Sequence, residues 1–200
     1  MKKYSGFTLI ELMITLFIVG ILLTVGVPSM RTFLQNNQLI ATTNELVSSI
    51  HIARSEALKL NKKVTICVSA DGKSCVSSEK WAQGWIVFVD ANDDRVGTGV
   101  NCSAVADVNT DCLLRVHEAV DDPLLSVSGT YDSNAADIEW FTFTSRGVPK
   151  DQGASQSGVF SICSFDTSNS VINSRAVVLS LSGRVRVSDN AAVISCPASP

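Results

Sequence analysis

Two arginines near the C-terminus, one acid in an apolar run and six cysteines are the residues of this chain whose types and spacing could do chemistry. Gly183-Arg184-Val185-Arg186 sets two guanidiniums two positions apart. In an extended segment they share one face at about 6.6–6.8 Å, close to the distance between successive phosphates on one strand of DNA. Each guanidinium can fork onto phosphate oxygens, so the pair could clamp a polyanion backbone. The ordinary alternative is a solvated pair, or one bonded across the sheet to Asp or Glu. Local charge adds to the first reading. From Asp90 to Glu139 there are eleven acids and two bases, whereas from Arg146 to Pro200 there are five bases and three acids. Arg146, Lys150 and Arg175 join Arg184 and Arg186 on that ground alone.

The cysteines point to structure rather than reaction. Cys67, Cys75, Cys102, Cys112, Cys163 and Cys196 all lie beyond the apolar N-terminal run and are even in number, so disulfides are expected if the head is outside the cytoplasm. Spacing and strand placement suggest Cys67–Cys75, Cys102–Cys112 and Cys163–Cys196, the last pinning the C-terminal tail to a sheet. Zinc is the rival, but there is no C-x-x-C, and neither His51 nor His117 sits near a cysteine pair. Asp90, Asn92 and Asp94 alternate like the first ligands of a calcium loop. Arg95 then stands where the loop needs Gly, and Asn101 where it needs a bidentate Glu, so an Asp/Asn-rich turn is the reading. His117 would lie on a strand beside Glu118, whose side chain points to the opposite face. No nucleophile–base–acid set can be assembled from two scattered histidines. Neither an enzyme nor a cofactor is expected.

These residues need elements to hold them. Overall the chain is mildly acidic, with a net charge of -3 over 200 residues and 46% hydrophobic content, which excludes a disordered chain and a generally basic, histone-like binder. Its positive mean hydropathy of +0.24 is concentrated in Phe7–Val27, 21 residues with one acid, Glu11, and no base. At about 1.5 Å per residue this stretch spans about 30 Å, enough to cross a bilayer. Lys2 and Lys3 ahead of it favour a cytoplasmic N-terminus. No convincing small-residue cleavage site follows it, so the run is not read as a discarded signal peptide. A carboxylate inside such a run costs several kcal/mol unless neutralised or paired, unless Glu11 simply snorkels to the interface.

The residues Lys2-Lys3-Tyr4-Ser5-Gly6-Phe7-Thr8-Leu9-Ile10-Glu11-Leu12 resemble the class III leader of type IV pilins and type II secretion pseudopilins. The resemblance implies that a prepilin peptidase cuts after Gly6 and methylates Phe7. It also makes Glu11 the acid that meets the terminal ammonium of Phe7 on a neighbouring subunit during filament assembly. A carboxylate in low dielectric is retained only where a cation meets it. Loss of residues 1–6 would remove Lys2 and Lys3 and take the side-chain charge to -5.

Beyond Pro28, which should bend rather than end the helix, Leu39, Leu46, Ile50, Ala53, Ala57 and Leu60 recur at helical steps, opposite Gln35, Asn36, Asn44, Ser48, Arg54 and Lys59. A helix from about Phe7 to about Leu60 is expected, ended by Asn61-Lys62-Lys63. It divides into a membrane or filament-core part (7–28) and an amphipathic part (29–61), ahead of a β-rich head (62–200). Strands are expected over Val64–Ser69, Gly84–Asp90, Cys112–Glu118, Ile138–Thr144, Gly158–Cys163, Ala176–Leu181 and Arg184–Ser188, with a weak one near Val193–Cys196. Ser182-Gly183 signals a tight turn between two of them.

His51-Ile52-Ala53-Arg54-Ser55-Glu56-Ala57, Val64-Thr65-Ile66-Cys67 and Gly84-Trp85-Ile86-Val87-Phe88-Val89-Asp90 resemble the GspH/FimT group of minor pilins and pseudopilins. That group implies an α+β, type IV pilin-like fold, a long N-terminal helix packed on two antiparallel sheets. Within the helix motif, Ala53 and Ala57 would allow close packing while Arg54 and Glu56 are solvated. Gly183, Arg184 and Arg186 match the Gly-Arg-x-Arg feature of the FimT-type members, which bind DNA during natural transformation. The resemblance thus implies sequence-independent binding of double-stranded DNA, with other major and minor pilins and the prepilin peptidase as partners. The protein would be stored in the inner membrane with a periplasmic head, then displayed on the pilus. Two other members of the group offer alternatives without DNA: a structural minor pilin of the FimU kind that primes assembly, and a GspH-like pseudopilin of type II secretion.

Overall fold

The computed structural model describes residues 6–78, 80–92, 94, 100, 102, 111–132, 136–151 and 154–197, without the side chains at 25, 27–29, 151 and 154. Lys2 and Lys3 of the leader, and Arg95 and Asn101 of the calcium-loop comparison, lie outside the described residues. The chain divides into two compact units, residues 1–37 and 38–200.

Helix α1 runs from Leu9 to Leu60. Thr8 starts it: its Oγ1 accepts the Glu11 N–H at 3.3 Å, the Ser/Thr cap three residues ahead of an acid. Asn61 ends it in the left-handed region (φ 53°), and the Lys62 N–H reaches back to the Ala57 carbonyl at 3.3 Å, so that orphan carbonyls at the helix end are met. In the first unit the apolar side chains of α1 are exposed, from Leu9 at 76% to Leu34 at 57%. Among the described residues no helix is long and apolar enough to cross a membrane.

In the second unit ten strands form two antiparallel sheets. β1 (Val64–Val68), β2 (Trp85–Val89), β3 (Cys112–His117), β5 (Trp140–Phe143), β6 (Pro149–Asp151) and β7 (Ala154–Ser155) make one, in the order β3-β2-β1-β5-β6-β7. The other contains β4 (Leu125–Tyr131), β8 (Gly158–Phe165), β9 (Val171–Leu179) and β10 (Val185–Ser188), in the order β10-β9-β8-β4. Alternation decides the core. Val64, Ile66 and Val68 face inward with Trp85, Val87, Phe141 and Phe143, and from the second sheet Phe160, Ile162, Val177 and Leu179 meet them. Leu39, Leu46, Ile50, Ala53 and Ala57 of α1 complete this core with exposures of 1% or less. Each large side chain so buried contributes about 1.5–3 kcal/mol. Polar groups within the core are bonded: the Trp81 indole donates to the Ile138 carbonyl at 2.6 Å and the Trp85 indole to Ser49 Oγ at 3.0 Å.

The strands expected from sequence are present with shifted ends, and three differences are instructive. Leu125–Tyr131, Pro149–Asp151 and Ala154–Ser155 are strands that the sequence reading passed over. The first contains Ser-Gly and looks like a turn, yet Leu125, Val127 and Tyr131 alternate inward. β9 begins at Val171, five residues before the apolar run, because pairing with β8 carries a polar segment, Asn173-Ser174-Arg175, into the ladder. The weak strand near Val193–Cys196 is a 3-10 turn, Ala191–Val193, followed by a tail held by a Ser195 N–H to Ser161 Oγ bond of 2.9 Å.

Candidate nucleic-acid interface

Arg184 and Arg186 lie at the outer edge of the four-stranded sheet. β10 pairs with β9 in the register Val185↔Leu179, Arg186↔Val178, Val187↔Val177 and Ser188↔Ala176. Val177 and Leu179 face the core, so Arg186 points to the opposite face, and Arg184 shares its parity one strand step away. Both arginines are exposed, and among the described residues neither has an ion pair or a side-chain hydrogen bond.

The connection between β9 and β10 is a tight turn. The Gly183 N–H donates to the Ser180 carbonyl at 2.8 Å and Gly183 has φ 74°, the left-handed conformation that glycine adopts without strain. Ser180 closes it from its other side, with its N–H donating to the Arg184 carbonyl at 2.9 Å and its Oγ accepting the Arg184 N–H at 3.1 Å. The β5–β6 hairpin has a matching turn: the Gly147 N–H meets the Thr144 carbonyl at 2.8 Å and Gly147 has φ 71°. The two turns abut. A Cβ on Gly183 would fall 2.3 Å from the Gly147 carbonyl oxygen, which is closer than any carbon can approach. Arg146, exposed in the second turn, is thereby brought beside Gly183-Arg184.

Arg54 bonds to the first of these turns, a contact not expected from the sequence. Placed on the solvated face of α1 by periodicity, it is half-buried, with Nη1 donating to the Gly183 carbonyl at 2.9 Å and Nη2 to the Ser182 carbonyl at 3.0 Å. Its place one position after Ala53 puts it at the border of the core stripe. Its partners, two backbone carbonyls, leave no trace in residue types. Glu56, expected in solvent with it, pairs with Lys59 at 3.2 Å on the helix surface.

The remaining candidates disperse. Lys150 pairs with Thr142 on the face of the six-stranded sheet turned away from the main core. Arg175 has the parity of Val177 and Leu179 and lies opposite Ile162, so it faces the other side of the sheet from Arg186. The structure therefore sets Arg146 in the turn that abuts the one ahead of Arg184, and places Lys150 on the other sheet and Arg175 on the other face from Arg186.

Disulfides join Cys67 to Cys75, Cys102 to Cys112 and Cys163 to Cys196, the same pairs that spacing suggested. His117 stacks on Trp85 with ring centroids 3.7 Å apart and pairs through Nε2 with Glu45 of α1, which is a packing role. The carboxylates of Asp90, Asp94 and Asp111 converge within 4.8 Å of one another. They are used as acceptors, Asp90 from Thr65 Oγ1, Asp94 from the Asn92 amide and Asp111 from the Ala91 N–H. In two other turns a carboxylate is well solvated yet holds its proton weakly. Asp71, bonded by the Ser74 and Lys73 N–H groups, and Asp166, bonded by Ser168 and the Ser170 N–H, titrate below the usual carboxylate range.

The chain thus combines a capped helix with exposed apolar side chains, a disulfide-bonded head and an exposed basic edge. Residues 1–27 match the prokaryotic N-terminal methylation motif. Residues 42–183 match the family of the type II transport protein GspH, and the chain belongs to that family of minor pilins and pseudopilins. Among solved structures it is similar to the type IV minor pilin FimU of Pseudomonas aeruginosa, at 21% identity over 78% of this chain and 92% of that one, with a TM-score of 0.48. It is also similar to the minor pseudopilin EpsH from the type 2 secretion system of Vibrio cholerae, at 10% identity over 76% and 97%, with a TM-score of 0.45. No curated protein matches it.

Proposed function

We propose that this minor pilin binds extracellular double-stranded DNA by its phosphates, through Arg184 and Arg186 with Arg146 beside them, during natural transformation. The observation that carries the reading is the exposed pair Arg184 and Arg186, two positions apart at and just before the start of β10 and without an acid partner among the described residues. Such a site is indifferent to base sequence, because phosphate contacts position a duplex and carry no base information. Two or three phosphates neutralised give modest affinity and a log–log salt slope of about -2 to -3. Several subunits on one filament would add avidity. Lys150 and Arg175 would contribute only through the general field.

The same reading includes the leader. Prepilin peptidase cuts after Gly6 and methylates Phe7. Glu11 pairs with the Phe7 ammonium of a neighbour, and the inner membrane stores the helix before the pilus takes it up. A subunit whose ligand is only another pilin, as in a structural minor pilin or a secretion pseudopilin, is the second reading. The exposed apolar side chains from Leu9 to Leu34 call for neighbours in either reading, so only the basic edge separates the two.

The deciding experiment is a mobility-shift titration of the full chain in non-ionic detergent with duplex DNA at low salt, alongside Arg184→Gln with Arg186→Gln. Binding that falls at least tenfold in the double variant, with the salt slope reduced by about 2, supports the DNA reading. No binding at low salt, or binding untouched by the double substitution, leaves the pilin-only reading.

A further inference from the structure

We propose that Arg54 is the positioning residue of this basic edge: from α1 it locks the β9–β10 turn and the β5–β6 turn into one rigid unit, and so fixes where Arg184, Arg186 and Arg146 stand. The inference rests on the DNA reading for its consequence, but not for its structural content.

The geometry is specific to a guanidinium. Its two Nη groups reach two successive carbonyls, those of Ser182 and Gly183, at 3.0 and 2.9 Å. A planar fork can make both bonds at once, and a lysine ammonium at this depth could satisfy one geometry only. Nε sits between the turns, for a Cβ on Gly147 would lie 3.1 Å from it and a Cβ on Gly183 3.2 Å. Both turns therefore need glycine twice over, for positive φ and for room against Arg54. Nε itself is buried without a hydrogen-bond partner, so this residue bears a cost that a purely solvated arginine would avoid.

Charge sharpens the point. Among the described residues no carboxylate pairs with Arg54, and its charge is met by carbonyl dipoles alone. Arg54 does not itself reach phosphate, because both Nη groups are turned onto backbone. Its part is to hold the turn from which Arg184 projects and through which β10 keeps its register at the sheet edge.

The test uses the full chain in non-ionic detergent and two variants, Arg54→Lys and Arg54→Gln, with two readouts. Hydrogen exchange is followed at the Gly183, Gly147 and Arg184 amides, and binding to duplex DNA is measured at low salt. Expected are faster exchange at those three amides in both variants, unchanged exchange in β8, and DNA affinity lowered about tenfold in both. Because Lys keeps the charge, equal loss in Arg54→Lys and Arg54→Gln assigns the effect to the fork; retention of affinity in Arg54→Lys alone would show a charge effect and overturn the proposal. Unaltered exchange at the two turns in Arg54→Lys overturns it as well, whether or not DNA binds. If the wild-type chain fails to bind DNA while the turns loosen as expected, the DNA reading falls and the locking role of Arg54 stands.

Discussion

The two parts of α1 were built from similar residue types and met different fates. Up to residue 37, the described Leu, Ile, Phe and Val side chains are exposed. Beyond it a stripe of Leu39, Leu46, Ile50, Ala53 and Ala57 is buried, while Leu58, off that stripe, stays exposed. The lesson is that hydrophobicity in amount says little about burial within one chain, while its angular spread says a great deal. A stripe can be satisfied by two sheets of the same molecule. A helix apolar on all sides requires a surrounding medium, whether lipid or other helices.

Substitutions can break this contrast. Leu46→Ala, in the buried stripe, should lower the unfolding free energy of the head by about 2–5 kcal/mol, read as a shift of the denaturant midpoint with its slope unchanged. Gly183→Ala should cost about 1–3 kcal/mol, from positive φ and from a methyl driven onto the Gly147 carbonyl. It should also loosen the turn on which Arg54 acts; an unchanged melting temperature would mean that the two turns do not abut. Acid should act on the head next. Asp71 and Asp166 hold folded-state pKa values below their unfolded ones, so their contribution is complete above the ordinary carboxylate range and is lost as pH falls through the folded values. Asp71→Asn should therefore flatten part of the acid limb of a stability–pH curve and leave the neutral region near its own new plateau. Smallest of all, Leu16→Ala should change head stability by no more than about 0.5 kcal/mol. A larger effect would show that the exposed part of α1 is not independent of the head core.

Sequence made the helix, its Asn61 stop, the disulfide pairs and the Ser182-Gly183 turn legible, because each depends on residue types close in sequence, on a period or, for Cys163–Cys196, on strand placement. β4 was not legible, since Ser128 and Gly129 hide an alternating strand that only its pairing with β8 stabilises. Of the basic residues, parity along one strand identified Arg184 and Arg186 as neighbours. Local charge counting could not separate Arg146, which the abutting turns bring in, from Arg175, which the register of β8 and β9 turns away. Arg54 was beyond reach for a different reason: it bonds to carbonyl groups that every residue possesses, 128 and 129 positions along the chain.

The Cys163–Cys196 bond has a mechanical side. It links positions 33 apart and closes a loop that contains β9, its turn and β10. β10 is the edge strand of its sheet among the described residues. Cys196, beyond its far end, is fastened to β8, so β10 lies between the turn at Gly183 and a covalent anchor. A load applied along β10 is therefore carried into β8 through that bond as well as through the hydrogen bonds to β9.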